Sequence, residues 1–440
     1  MIQKIIFVIL FLYCNISIGQ VDSTWYSIKN KIVIPFQLSS NLILIDAKLN
    51  DVNLKLILDT GSNNNILFSV PIEETLVVNN AIKTKITGLG SNEPVDAIIS
   101  SNNIFECKDY KNKSFSILVL NQEDVNIINK LGIEINGILG YSFFKDRIVE
   151  INYENKKITI HKDNRILKKR KIKKYSKEKI NIIDNKPYIE INSKINSTNK
   201  NLKLLFDTGL SDGLWLFQKD SLKLPEKNID DILGFGLSGN VIGKRARVNE
   251  VNLSKFIFKD VLVAYPDSLS YSNINIVSNR NGSIGGELLR RFNLLIDYKN
   301  SEIYFKQNDN FNNPFNYNMS GIDIEQSGNE MIKEELKLDT GAFALNLNEI
   351  VFNNPELRFN YKYTLKPAFI VSFIRINSPA YNVDIRKGDK IISINNNKAH
   401  TFTLQNLTDL FQSEDGKKIK MEIERDGKII EKIFYLKKII

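Results

Sequence analysis

Two aspartates stand in matching settings. Asp59 closes the run Leu54-Lys-Leu-Ile-Leu58 and is followed by Thr60-Gly61-Ser62; Asp207 closes Leu202-Lys-Leu-Leu-Phe206 and is followed by Thr208-Gly209. A carboxylate at the end of a mostly apolar run is costly to bury unless something uses it. The glycine two residues on lets backbone N–H groups approach the carboxylate with no Cβ in the way, and the threonine hydroxyl is placed to hydrogen-bond across to the matching loop. Two such loops facing each other bring two carboxylates together, and like charges so close do not both ionise, so the pair shares a proton. One member then acts as base on a water while the other donates to a substrate carbonyl.

Other chemistries lack their residues. The 440-residue chain has two histidines (His161, His400) and two cysteines (Cys14, Cys107), too few for a Cys₄ or Cys₂His₂ zinc site, and it holds no HExxH stretch. Neither histidine lies in a motif suited to the base of a serine or cysteine enzyme. The nearest approach to a phosphate loop, Gly239-Asn-Val-Ile-Gly243-Lys244-Arg245, has the wrong glycine spacing and no Ser/Thr.

The elements that carry the aspartates are repeated. Four blocks recur in the same order: Leu54–Gly61 as Leu202–Gly209, Gly88-Leu-Gly90 as Gly234-Phe-Gly236, Gly137–Gly140 as Gly282–Gly285, and Ile151–Asn155 as Ile296–Asn300, at offsets of 148, 146, 145 and 145 residues. The chain therefore contains two copies of one unit. Short runs of Ile, Leu, Val, Phe and Tyr bounded by Asn, Asp and Gly make both copies β structure. Asn50-Asp51 reads as a hairpin turn between Ile43–Leu49 and Leu54–Leu58; Pro187–Ile195 and Leu202–Phe206 repeat it with a longer turn. Short helices are expected only near Ser142–Lys145 and Glu287–Arg291.

Asp59-Thr-Gly-Ser62 with Ile138-Leu-Gly140, and Asp207-Thr-Gly209 with Ser283-Ile-Gly285, resemble the paired motifs of the retropepsin-like and pepsin-like aspartic peptidases. The resemblance covers both copies. It implies a mainly β, bilobed aspartic-protease fold of two tandem retropepsin-like β-barrel lobes, residues 20–161 and 180–306. It makes Asp59 and Asp207 catalytic, with Thr60, Gly61, Ser62, Thr208, Gly209, Gly140 and Gly285 supporting them. In that family the Gly140 and Gly285 positions permit a close crossing beside each loop, and Gly88-Leu89-Gly90 and Gly234-Phe235-Gly236 fall where β-hairpin flaps cover the substrate. The implied reaction uses water, with no metal, no cofactor and no covalent intermediate. The chain departs at Leu210, where the family often has Ser, Thr or Ala, and at Ser283, which replaces an apolar residue. Asp212 reads as exposed on its loop.

Charge marks the boundary between the copies. The net charge is +10, and residues 162–179 hold ten Lys/Arg against Asp163 and Glu178. As a functional feature this stretch would bind a polyanion; the favoured reading is a solvated linker kept extended by like charges. Because the rest of the chain is close to neutral, the excess is weak evidence for a nucleic-acid partner, and none is expected. A third Asp-Thr-Gly, Asp339-Thr340-Gly341, has no flap or apolar-Gly partner downstream and reads as a turn, with a part-formed third copy as the alternative.

The N-terminus has a basic start (Lys4), an apolar run from Ile5 to Tyr13 and small residues at Ser17 and Gly19, the pattern of a signal peptide over 1–19. The apolar stretch is too short to span a bilayer, so export to a periplasmic or extracellular location, without a transmembrane anchor, is expected. Cleavage leaves Cys107 as the sole thiol.

After a connector (307–366) the sequence changes. Phe369-Ile-Val-Ser-Phe373, Ser378-Pro-Ala380, Lys387-Gly-Asp389 and Ile391-Ile-Ser-Ile-Asn395 precede an amphipathic helix from Leu404 to Phe411 and two strands around Asp426-Gly427. This resembles a bacterial PDZ domain, α+β, over residues 367–440. Such domains add a peptide strand to an edge, which implies a groove formed by Phe369, Ile370 and Val371 with Leu404 and Leu407. Asp384 and Lys366-Pro367-Ala368 depart from the family at its glycine and its carboxylate-binding loop.

The expected function is thus an exported aspartic endopeptidase acting on a peptide or protein substrate, with a PDZ domain for peptide or substrate recognition. A monomer suffices for it. The alternative is a non-catalytic peptide-binding scaffold on the same fold, motivated by Leu210 and the altered PDZ loop.

Overall fold

The computed structural model describes residues 29–71, 73–86, 95–120, 132–219, 222–236, 239–271, 276–335 and 361–440. The signal-peptide stretch, Gly88-Leu89-Gly90 and Asp339-Thr340-Gly341 lie outside these residues.

Turn chemistry starts each half. Asn50 and Asp51 (φ 45° and 70°) join the strands Leu42–Leu49 and Val52–Leu58, and Asn196 and Ser197 (φ 47° and 64°) join Lys186–Ile195 and Thr198–Phe206. Positive φ at both positions gives a two-residue turn whose twist matches the strands. The second turn is therefore as short as the first, not longer. Its polar residues Thr198–Asn201 continue the ladder opposite Asn192–Ile195, since backbone pairing does not require apolar side chains.

Each half is an eight-stranded sheet, and the two have the same strand order. Numbering the strands of a half along the chain, the order is 1-2-3-8-4-7-6-5 in both. In the first half strand 8, Gly137–Leu139, runs parallel to Val52–Leu58; in the second Arg280–Ile284 runs parallel to Thr198–Phe206. A further pairing of strands 2 and 6 curls each sheet on itself. Short helices follow strand 8 at Tyr141–Phe144 and Gly286–Leu289.

A six-stranded sheet takes three strands from each side of the repeat: Lys31–Pro35, Lys157–His161 and Ile148–Asn152, then Phe292–Asp297, Glu302–Gln307 and Ser176–Lys179. One apolar core runs through both halves and this sheet. The basic stretch is not an extended linker. It folds into two 3-10 turns, Asn164–Lys168 and Arg170–Lys174, then the edge strand Ser176–Lys179. Ile166 and Ile172 are buried against Ile148, Leu295 and Tyr304, while its lysines point outward or pair, as Lys171 does with Glu150 at 2.8 Å. Spaced apolar residues within the charge run override repulsion between well-solvated cations.

The chain leaves the second half through residues 308–317, strapped down by Arg291. That guanidinium is fully buried, lies 3.9 Å from the Phe315 ring, and donates to the carbonyls of Phe311 and Asn313 and to Glu287. Beyond it a sheet of Ile322–Glu335, Tyr361–Ile374, Lys390–Ile394, Lys418–Arg425 and Lys428–Tyr435 packs on the helix Leu404–Phe411 around its own core. The C-terminal domain thus recruits its first strand from the stretch read as connector. Among the described residues no helix is long and apolar enough to cross a membrane.

Candidate active site

Each aspartate leaves its strand under control of the parallel neighbour. Asp59 N donates to Leu139 O and Asp207 N to Ile284 O, both at 2.9 Å. The threonines that follow interlock. Thr60 Oγ1 donates to Phe206 O (2.6 Å) and accepts from Thr208 N (3.0 Å); Thr208 Oγ1 donates to Leu58 O (2.7 Å) and accepts from Thr60 N (3.1 Å). Both side chains are buried. Two loops 148 residues apart in the sequence are thereby locked face to face.

The glycines are required by closeness. A Cβ on Gly61 would lie 2.7 Å from the Asp207 carboxyl carbon, and one on Gly209 would collide with the carboxylate of Asp59. Each glycine N–H instead binds its own aspartate, Gly61 N to Asp59 Oδ1 at 2.6 Å and Gly209 N to Asp207 Oδ1 at 3.0 Å. Gly140 and Gly285 sit where a Cβ would strike the carbonyls of Asn64 and Ser62, and of Asp212 and Leu210, so these two glycines thread tightly behind the loops.

The two carboxyls are hydrogen-bonded to each other. Both keep part of their surface on the cleft but are closely surrounded by protein. Burial, then the Asp207 charge and the mutual hydrogen bond, hold Asp59 well above the ordinary carboxyl range, against the Gly61 N–H and Lys186. Burial also raises Asp207, while the hydrogen bond from Asp59, the Arg280 charge, the Gly209 N–H and Lys186 pull it down. Both members are raised, Asp59 the further, so the pair holds one proton between its two carboxyls.

Ser62 does not support a carboxylate: its hydroxyl donates to Asn64 O at 2.8 Å. At the equivalent position Leu210 packs beside Trp215, Leu233 and Val241. Neither aspartate thus receives a hydroxyl from the residue after its glycine: Ser62 bonds its own loop and Leu210 has no hydroxyl. Asp212 is not exposed; it accepts from Trp215 Nε1 (2.7 Å) and, with Asp231, holds the buried Arg245 (2.8 and 2.6 Å).

The pair lies in a cleft of about 750 Å³. Gly234 and Gly236 line it from the end of the hairpin Asn228–Gly236/Gly239–Leu253, and Ile86 lines it from the strand that leads toward Gly88. The Phe235 side chain lies outside the described residues. The wall also carries Lys186, Arg280 and Trp215, none of which the sequence singles out. One lysine among many before Pro187, and an arginine three residues ahead of Ser283, give no signal until the second half folds around the pair.

The same cleft reaches the C-terminal domain. Ser40 N donates to Gln405 Oε1 at 2.8 Å at its rim, and Ile322, Ile324, Leu404 and Leu407 line its far end. The groove expected beside Phe369, Ile370 and Val371 does not exist. Their strand is paired on both sides, Phe369 with Gln326 and Ile391 and Ile370 with Glu325 and Lys390, and Phe369 and Val371 are buried in the core. Among the described residues the outer strands of this sheet are Ile322–Glu335 and Lys428–Tyr435. The cleft runs between the first of these and the helix bearing Leu404 and Leu407.

Residues 370–425 match the PDZ domain family. They form a PDZ domain, a fold used for peptide and protein recognition. No curated protein sequence matches the chain. Among solved structures, a crystal structure of Basic 7S globulin from soybean aligns at 9% identity over 63% of this chain and 95% of that one, with a TM-score of 0.39, too loose a likeness to carry any argument.

Proposed function

We propose that this chain is an exported aspartic endopeptidase of the retropepsin-like and pepsin-like kind, its two repeated halves forming the lobes and its PDZ domain receiving part of the same peptide. The observation that carries the reading is the proton-sharing Asp59–Asp207 pair at the floor of a cleft, held by reciprocal Thr and Gly contacts. Ionised Asp207 takes a proton from a water, whose oxygen attacks the peptide carbonyl carbon. Asp59 gives its proton to the carbonyl oxygen, producing a neutral gem-diol. Return of one diol proton to Asp59, and transfer to the amide nitrogen of the proton that Asp207 took from water, break the C–N bond and release amine and acid, restoring the starting pair. The continuous cleft supports one extended peptide, docked as an added strand along Ile322–Glu335 and passing over the carboxyls.

A purified wild type tested on a peptide library from about pH 3 to 7, where carboxyl pairs titrate, should cleave, and Asp59→Asn and Asp207→Asn should each lose activity. Equal cleavage by all three sinks the reading. Saturable binding without turnover at any pH establishes instead a peptide-binding scaffold, the reading favoured by Leu210, which has no hydroxyl, and by Ser62, whose hydroxyl goes to Asn64 O and not to Asp59.

A further inference from the structure

The wall of the cleft carries two cations that no ion pair between described residues takes up. Lys186 and Arg280 both line it, and both act on the charge of the pair. With one proton shared, Asp59 and Asp207 together present one negative charge to two cations. Among the described residues no carboxylate lies within ion-pair distance, 4.0 Å, of either. The exposed Asp184 is the other carboxylate whose charge reaches Lys186. The neighbouring acids are occupied elsewhere: Asp212 and Asp231 by Arg245, and Glu287 by Arg290 and Arg291.

Arg280 is also built in. Its guanidinium carbon lies 5.2 Å from the centre of the Phe217 ring, a ring itself stacked on Tyr271. Nε donates to Gly282 O at 2.9 Å and Nη2 to Ser283 Oγ at 2.6 Å. These bonds account for Ser283, the polar residue in an otherwise apolar crossing: its buried hydroxyl holds the guanidinium at the dyad. Three neutral contacts orient the cation and none cancels its charge. Lys186 begins the strand Lys186–Ile195, which Thr198–Phe206 separates from the strand of Arg280; it is partly buried with no hydrogen-bond acceptor among the described residues. Burying two unpaired cations is unfavourable unless an anion arrives to pair with them.

We propose that Lys186 and Arg280 form an anion-recognising subsite next to the dyad, which selects peptides carrying a carboxylate close to the bond that is cut. Ser283 acts as its positioning residue. The inference rests on the proteolytic reading above for the word "cut", but the recognition itself does not. The carboxylate comes from an internal Asp or Glu side chain or from a peptide C-terminus, and the test separates these sources.

Quenched-fluorescence peptides are compared in pairs, with one Glu exchanged for Gln at each position in turn, and with each C-terminus free or amidated. In the wild-type full chain at pH 6, the carboxylate member of at least one pair should be cleaved with a kcat/KM about tenfold to a hundredfold higher, the range for one charge-assisted hydrogen bond. The preference should shrink below about pH 4, where a substrate carboxyl is protonated, and should fall severalfold in Lys186→Gln and in Arg280→Gln. A Glu-for-Gln effect assigns the carboxylate to a side chain; an amidation effect alone assigns it to the chain terminus. Equal rates within every pair overturn the subsite while leaving proteolysis standing, as does a preference unchanged in both variants. If no peptide is cut, the proteolytic reading falls, and the same pairs measured by calorimetric binding decide the subsite by the same fold-changes. Lys186→Gln, which removes no hydrogen bond between described residues, keeps the test decisive if Arg280→Gln does not fold.

Discussion

Replacing Thr208 by Val removes one hydroxyl and nearly preserves the side-chain shape. That hydroxyl donates to Leu58 O at 2.7 Å and accepts from Thr60 N at 3.1 Å, and the residue is 1% exposed. In the variant one backbone carbonyl and one backbone N–H stay buried without those partners. Each such orphan costs about 1–3 kcal/mol, so Thr208→Val should lose about 2–6 kcal/mol of stability, several times the roughly 1 kcal/mol typical of a point substitution. Thr208→Ser keeps the hydroxyl and loses only a methyl, and should lose about 1 kcal/mol. Chemical denaturation followed by tryptophan fluorescence measures both, with the midpoint shift read at constant slope. The lock also sets the spacing of the carboxyls, and a misplacement of about 1 Å costs on the order of a hundredfold in rate, so turnover should fall further in the Val variant than in the Ser variant. A Val variant within about 0.5 kcal/mol of wild type, the scatter of surface substitutions, or a Ser variant as damaged as the Val one, would refute the reasoning that the reciprocal hydroxyls hold the two loops together.

Two other outcomes follow from the environment of single groups. Because burial and Asp207 raise Asp59, the folded chain holds its proton at pH values where the unfolded chain has released it, so stability falls as pH rises from about 4 through the folded-state value; Asp59→Asn should melt above wild type at pH 7, with the gap closing toward pH 4, and a gap independent of pH would contradict the assignment. Cys107 is 1% exposed, its thiol pushed up to about 12 chiefly by burial, so a thiol reagent at pH 8 should leave it unmodified for hours in the native protein and react within minutes in denaturant; fast native labelling would show that the first half opens locally.

Much of this architecture is written in short-range pattern. Asn50-Asp51 and Asp426-Gly427 specify two-residue turns by their tolerance of positive φ, and Leu404, Leu407 and Phe411 specify the buried face of a helix, because turn type and helical period depend on neighbours a few residues away. Recurrence of Asp-Thr-Gly with a downstream Gly implies two equivalent units, and the identical strand order of the two halves is the three-dimensional form of that recurrence.

Pairing over long separations is a different matter. Nothing local distinguishes Ile322–Glu335 from a connector, yet it supplies an outer strand of the C-terminal sheet, while Phe369–Val371, a strand by every local sign, is closed on both sides. The 3-10 turns of the basic stretch depend on Ile148, Leu295 and Tyr304 waiting beneath Ile166 and Ile172. The sequence by itself determined that two carboxylates of like setting exist and that a glycine must follow each. Only the tertiary structure decided that the two carboxyls meet and share a proton, that the Ser62 hydroxyl bonds its own loop, and that Lys186 and Arg280 line the same cleft. Charge, burial and hydrogen-bond reach act through space, and the residues that set them come from strands far apart in the chain.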